Sequence, residues 1–283
     1  MKRMAGLLVA IGVLFLGYDA RAQCAGCPAG GGGGPGCPFL VMQVGFTQSI
    51  YCVPGGFSGG IAFAPDGDVL TDTCSFSGSP LIVCDAQNTT VTNGTTIHTL
   101  EPNRPSNAGC GLANHPNGSI YSNTSGGATR LNPNTGAQTG VVGGPGNALG
   151  IAVDPVTNDI FYVADACRSS GTCPIIRCTV AGSCSTWITL VGTSFMDGIF
   201  FDDTGNFLFG SHRTPGFALD IMTFIGGNHA NAGTLVQSVP MGVHEPDGMA
   251  FHATAPKFVL AAATDGFLIR FDFPGNNYAL PPV

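Results

Sequence analysis

The chain has 283 residues, only 10% of them charged, with 43 glycines, 11 cysteines and a formal net charge of −7. An acidic, sparsely charged surface excludes nucleic acid as a partner and disfavours anionic membrane. So much glycine with so little Lys and Glu excludes a mainly helical protein and suits short strands joined by tight turns.

Residues 1–22 read as a secretory signal peptide. Lys2 and Arg3 form a basic start, "AGLLVAIGVLFLG" (5–17) an apolar run, and "ARA" (20–22) a small-x-small cleavage site. The run is short for a membrane span, so no membrane attachment is expected after cleavage and the mature chain is expected to be secreted, periplasmic or extracellular. Cleavage removes Lys2, Arg3 and Arg21 against Asp19 alone, which leaves a still more acidic product. Residues 23–38, "QCAGCPAGGGGGPGCP", read as a flexible Gly/Cys-rich tail ahead of a folded domain at 39–283. Cys24 and Cys27 have zinc-like spacing but no second pair or nearby His, and Pro28 removes a haem-attachment reading.

The runs "FLVMQVGF" (39–46) and "SIYCVP" (49–54) are strand-like. Five segments then share one pattern: a glycine, an apolar strand, a polar turn and a second apolar strand. They are "GGIAFAPDGDVLTD" (59–72), "GCGLANHPNGSIYSN" (109–123), "LGIAVDPVTNDIFYVAD" (149–165), "DGIFFDDTGNFLFGS" (197–211) and "DGMAFHATAPKFVLAA" (247–262). Their leading glycines, Gly60, Gly111, Gly150, Gly198 and Gly248, recur at the roughly 40–50-residue period of a β-propeller blade. Further strand-like runs, such as 174–180, 186–192, 217–225 and 234–240, bring each unit to four strands. The expected fold is all-β, a propeller of five recognisable four-stranded blades. A sixth is possible if the N-terminal strands form a degenerate blade. Joining N- and C-terminal strands closes the ring and removes open edges.

In an antiparallel blade the loop before the first strand and the loop between the second and third lie on one face. That mouth gathers Asp165, Asp197, His212, Arg213, His244, Glu245, Asp247 and Asp265. Asp197 and Asp247, just ahead of their strands, are oxygen ligands for a Ca²⁺-like cation in one reading; in the other they shape their own turns. Glu245 or His244 is a candidate catalytic base. His212 and Arg213, with Asp165 nearby, are candidate ligand-binding residues, the Arg suited to an anionic group.

"LGIAVDPVTNDIFYVAD" resembles an NHL repeat. "EPDGMAFH" and "MDGIFFDDTGNFLFG" are similar to blade starts of the senescence-marker/gluconolactonase family, and virginiamycin B lyase propellers share the style. The lactonase resemblance implies Ca²⁺ held by a Glu, two Asn and an Asp on separate blades. Asp197 or Asp247 matches its aspartate, and Asn147 lies two residues from an asparagine position. "FSGG" stands where the glutamate belongs, and Cys110 occupies another ligand-like position. The lyases' His/Glu/His set is imitated by His212, His244 and Glu245 without matching spacing.

Two functions follow. One is a secreted binding module holding a protein, glycan or small ligand on the loop-rich face. The other is a Ca²⁺-dependent lactonase- or esterase-like hydrolase.

Export makes the cysteines disulfide partners, and an odd number leaves at least one free or paired with another chain. Equivalent positions in the first and third units predict Cys74–Cys84 and Cys167–Cys178, leaving Cys173–Cys184; Cys167–Cys173 with Cys178–Cys184 is the competing pairing. Asn88, Asn93, Asn117 and Asn123 stand in N-x-S/T sequons.

Overall fold

The computed structural model describes residues 51–282 except 55–58, 76, 125, 144–146, 215, 253–257 and 266. The expected signal peptide (1–22), the tail (23–38) and the strand-like run at 39–46 lie outside the described residues.

The described chain is a five-bladed propeller in chain order. Blade 1 comprises β1 (Ile61–Phe63), β2 (Val69–Thr71), β3 (Ser79–Thr92) and β4 (Thr95–Leu100), with β5 (Arg104–Ala108) paired to the start of β3. Blade 2 comprises β6 (Leu112–Asn114), β7 (Ile120–Thr124), β8 (Gly127–Leu131) and β9 (Gln138–Val142). Blade 3 comprises β10 (Asn147–Val153), β11 (Ile160–Ala164), β12 (Thr172–Cys178) and β13 (Cys184–Val191), with a 3-10 turn at Asp165–Arg168. Blade 4 comprises β14 (Ser194–Phe201), β15 (Phe207–Thr214), β16 (Ala218–Phe224) and β17 (Gly233–Pro240). Blade 5 contributes β18 (Pro246–His252), β19 (Phe258–Ala263) and β20 (Leu268–Asp272).

Every pairing is antiparallel, so side chains alternate between the two faces of a blade. In β15, Leu208 faces blade 3 and Phe209 faces blade 5. Leu208 joins Phe161, Trp187, Met196, Met222 and Phe224 in the cluster between blades 3 and 4. Phe209 joins Ile221, Val259, Ala261 and Phe271 between blades 4 and 5. Each large side chain removed from water here contributes about 1.5–3 kcal/mol.

The leading glycines are where consecutive inner strands touch. A Cβ on Gly60 would lie 2.3 Å from Leu112 N, one on Gly111 2.5 Å from Leu149 O, and one on Gly150 2.9 Å from Ile199 N. Only a residue without a Cβ admits this approach. The repeat visible in the sequence is thus the axial contact of the propeller.

The ends of the described chain pack on outer strands. Tyr278 is buried against Phe207 and Phe209, and Gln237 Nε2 donates to Leu280 O at 3.0 Å. At the other end, His98 N donates to Tyr51 O at 2.7 Å, and the two rings stack 4.0 Å apart. Residues 51–54, expected to help close the ring, therefore start beside β4 of blade 1.

The disulfides are Cys52–Cys84, Cys74–Cys110, Cys167–Cys173 and Cys178–Cys184. This corrects the predicted pairs Cys74–Cys84, Cys167–Cys178 and Cys173–Cys184 and selects the competing arrangement in blade 3. Cys173 and Cys178 stand five residues apart along β12, about 17 Å, so no single neighbour reaches both. Cys178 lies directly across from Cys184, and Cys167 closes the 3-10 turn onto the start of β12. Cys84 lies deep in β3 opposite Val69, whereas Cys74 sits in the mouth loop and reaches Cys110 at the start of blade 2. Four disulfides fit an oxidising environment.

Candidate functional site

The mouth between blades 4 and 5 is assembled by one hydroxyl. Ser211, on β15, accepts from Gly198 N at 3.0 Å and donates to Asp247 O at 3.2 Å. This tie brings the start of β14 and the start of β18 side by side, and with them the aspartates ahead of both glycines.

Arg213, two residues along the same face of β15, reaches into that space. Its Nη1 donates to Asp197 Oδ2 at 2.7 Å, and its Nε and Nη2 both engage Glu245 Oε1. Glu245 Oε2 in turn accepts from Thr264 Oγ1 at 3.1 Å. The Asp197 side chain is 95% buried, and its Oδ1 has no hydrogen-bond partner. Desolvation pushes its carboxyl up to about 7; Arg213 opposes the shift, and Asp247 and Glu245 add to it. Asp247 at the open rim is also raised, by partial desolvation first and by Glu245, against the pull of Arg213.

Sequence reasoning placed Asp197, Arg213, Glu245 and Asp247 at one mouth, and the structure brings these four together. The other candidates sit elsewhere. His212 points to the opposite face of β15, where its Nδ1 lies 2.6 Å from Asp220 Oδ2 in a buried pair between blades 3 and 4. His244 pairs with Asp265 at 2.8 Å and leans on Phe267, ring centroids 4.6 Å apart. Asp165 pairs with Arg168 at the surface of blade 3. Asn147 opens β10.

One residue escaped the sequence reading. Phe195, at the mouth end of β14, holds φ at 52° and is 37% exposed. A bulky residue in the left-handed region is strained, and such strain concentrates at binding and catalytic sites. No sequence signal marks a non-glycine residue for that conformation.

As placed, Asp197 and Glu245 present no free, solvent-facing oxygen to a cation. Arg213 occupies Asp197 Oδ2 and Glu245 Oε1, Thr264 takes Glu245 Oε2, and Asp197 Oδ1 is closed from solvent. Among the described residues, the acidic trio with metal-like spacing is Asp68, Asp85 and Glu101 in blade 1. There Arg104 Nη2 already donates to Asp68 at 2.6 Å and to Glu101 at 3.3 Å.

No protein-family model matches the sequence, and no curated protein matches it. Solved structures do resemble the fold. Kuenenia stuttgartiensis hydrazine synthase aligns at 13% identity and TM-score 0.52, covering 78% of this chain and 77% of that one. A chain in the crystal structure of a nidogen/laminin complex aligns at 14% identity and TM-score 0.56, covering 81% of each. Staphylococcus aureus virginiamycin B lyase aligns at 16% identity over 78% of this chain and 71% of that one, with a TM-score of 0.46, too loosely to carry an argument. At these identities the likeness extends to the propeller fold alone.

Proposed function

We propose that this chain is a secreted binding propeller, of NHL- and gluconolactonase-like blade style, that holds a hydroxyl-rich ligand of the glycan class at the mouth of blades 4 and 5. The observation that carries the reading is the exposed Phe195 ring, held in strained backbone two residues from the Asp197–Arg213–Glu245 network. An aromatic face packs on the apolar C–H face of a sugar. Asp247, exposed at the rim, accepts hydrogen bonds from its hydroxyls, and the N–H groups of the partly exposed Arg213 guanidinium that the carboxylates leave over donate to its oxygens. Preorganised polar groups beside an apolar platform are the usual make-up of a small-ligand site.

The hydrolase alternative at the same mouth lacks equivalent support. Both oxygens of Glu245 are engaged, and His244 faces Asp265 rather than Glu245. The deciding experiment is a glycan array followed by calorimetry on the mature, oxidised protein and on Phe195→Ala. A saccharide bound at least about tenfold more weakly by the variant (~1.4 kcal/mol) supports the reading. Binding unchanged in Phe195→Ala, or no glycan bound, rejects it.

A further inference from the structure

The rim of the mouth is unbalanced, both in charge and in hydrogen-bonding type. Arg213 turns its Nε and both Nη atoms toward Asp197 and Glu245, so its single positive charge is set against two carboxylates. Asp265 is taken up by His244 Nδ1 at 2.8 Å. Asp247 is left over. It is exposed, and its carboxylate meets no hydrogen-bond or ion-pair partner among the described residues. Three residues before it, His244 gives its Nδ1 proton to Asp265; the neutral ring then keeps Nε2 as an acceptor.

An aromatic face adjoins these acceptors. Ser211 Oγ donates to Asp247 O at 3.2 Å, and a Cβ on Gly198 would stand 3.0 Å from the same oxygen. Asp247 therefore lies against the strand that carries the exposed Phe195 ring three residues before Gly198.

The group that fits this rim donates rather than accepts, carries positive charge and tolerates an aromatic neighbour. A carboxylate or phosphate on the ligand would meet Asp247 with like charge. A neutral hydroxyl donates one hydrogen and brings lone pairs of its own. A primary ammonium has three donors and no lone pair, forms charge-assisted bonds to a carboxylate and is attracted to a ring face. The formal charge of −7 on the chain draws such a ligand in. Resting on the saccharide reading of this mouth, we infer that the bound unit is an amino sugar, its primary ammonium held between the Asp247 carboxylate and the Phe195 ring, with His244 Nε2 accepting from the same ligand.

Calorimetry at pH 7 on the full mature, oxidised protein tests this with a β-1,4-linked glucosamine hexamer and its N-acetylated counterpart, which keeps the backbone and loses the charge. The amine form is expected to bind at least about tenfold more tightly. That preference is expected to vanish in Asp247→Asn and to shrink as NaCl rises from about 50 to about 300 mM. It should survive Asp66→Asn, which removes an exposed carboxylate from the β1–β2 turn on the opposite face. Equal loss in Asp66→Asn overturns the inference, since general acidity would then account for the preference. Equal affinity for the two oligomers, both weakened in Phe195→Ala, also overturns it and leaves the saccharide reading standing. Binding of other glycans but neither oligomer does the same. If no glycan binds at all, the inference falls together with the reading beneath it.

Discussion

Asp197 Oδ2 accepts from Arg213 Nη1 at 2.7 Å, and no other described group meets the second oxygen of that carboxyl. Arg213 is therefore the counter-charge that lets an aspartate with a 95% buried side chain ionise near neutral pH. Arg213→Met should drive the Asp197 carboxyl still higher and lower stability by about 1–2 kcal/mol. That is less than a fully buried pair would lose, because the arginine is partly exposed and the carboxyl can take up a proton. The expected fall in Tm is about 3–8 °C by calorimetry at pH 7.5; an unchanged Tm would refute the coupling.

Two buried carboxyls give the fold a pH signature of defined sign. Asp72 is pushed up to about 6 by desolvation, against hydrogen bonds from the backbone of Cys74, Gly60 and Gly59, and Asp197 to about 7. Both folded-state values exceed that of the unfolded chain. The stabilisation is fully present below about pH 4 and is lost as pH rises through 6 to 7, on the order of a few kcal/mol in all. Urea unfolding at pH 4.5 and 7.5 should show that slope, and Asp72→Asn and Asp197→Asn should each flatten it. Asp85, held low by its hydrogen bonds from Asn88 and Gln87, acts in the opposite sense and is untouched by either variant.

Calcium should leave the fold indifferent. Ligands that bind only the folded state raise Tm by mass action. With Arg213 bonded to Asp197 and Glu245, millimolar Ca²⁺ or EDTA is expected to shift Tm by less than about 1 °C. A Ca²⁺-dependent rise that vanishes in Asp247→Ala would show that the arginine yields to the metal and would restore the hydrolase reading.

The sequons are not equivalent. Asn88, Asn93 and Asn117 are exposed, the first within β3 and the other two in turns. Asn123 has no exposed surface, and its Nδ2 donates to Leu149 O at 2.7 Å and to Gly150 O at 3.1 Å, tying blade 2 to blade 3. In a glycosylating host, glycopeptide mapping should find sugar at some of the first three and none at Asn123. Asn123→Ala should cost about 1–3 kcal/mol through the two carbonyls left unpaired.

Disulfide loss should be graded by loop length. Cys74–Cys110 spans 36 residues and Cys178–Cys184 six. Replacing both cysteines by Ala should cost about 4 kcal/mol for the first pair and about 2 for the second. Non-reducing peptide mapping should recover a 74–110 linked peptide.

The blade frame was legible because it is written in local chemistry. The first four leading glycines answer to a backbone contact that leaves little or no room for a Cβ, and each following alternation of apolar residues answers to a two-faced strand. The mouth was legible as a set of loops, since strand direction alone assigns them to one side. Partner choice was not. Cys84 meets Cys52, His212 meets Asp220, and Arg213 reaches two carboxylates at once, all through distances set by packing between strands rather than along the chain. Phe195 was invisible for the same reason: its backbone is forced by its surroundings, and its own side chain opposes that conformation.

The glycine contacts at the axis also bear on how such a chain lengthens. Because the inner strands of the first four blades rest a bare Cα on the backbone of their successors, a duplicated repeat inserts without collision only if it brings its own leading glycine. Loss of one repeat likewise leaves a neighbour whose glycine still fits the next strand along. Whole units can therefore be gained or shed at this seam of glycines, whereas the mouth loops are joined from blade to blade only by pairs particular to one junction, Cys74–Cys110 or Arg213–Glu245, and diverge from unit to unit.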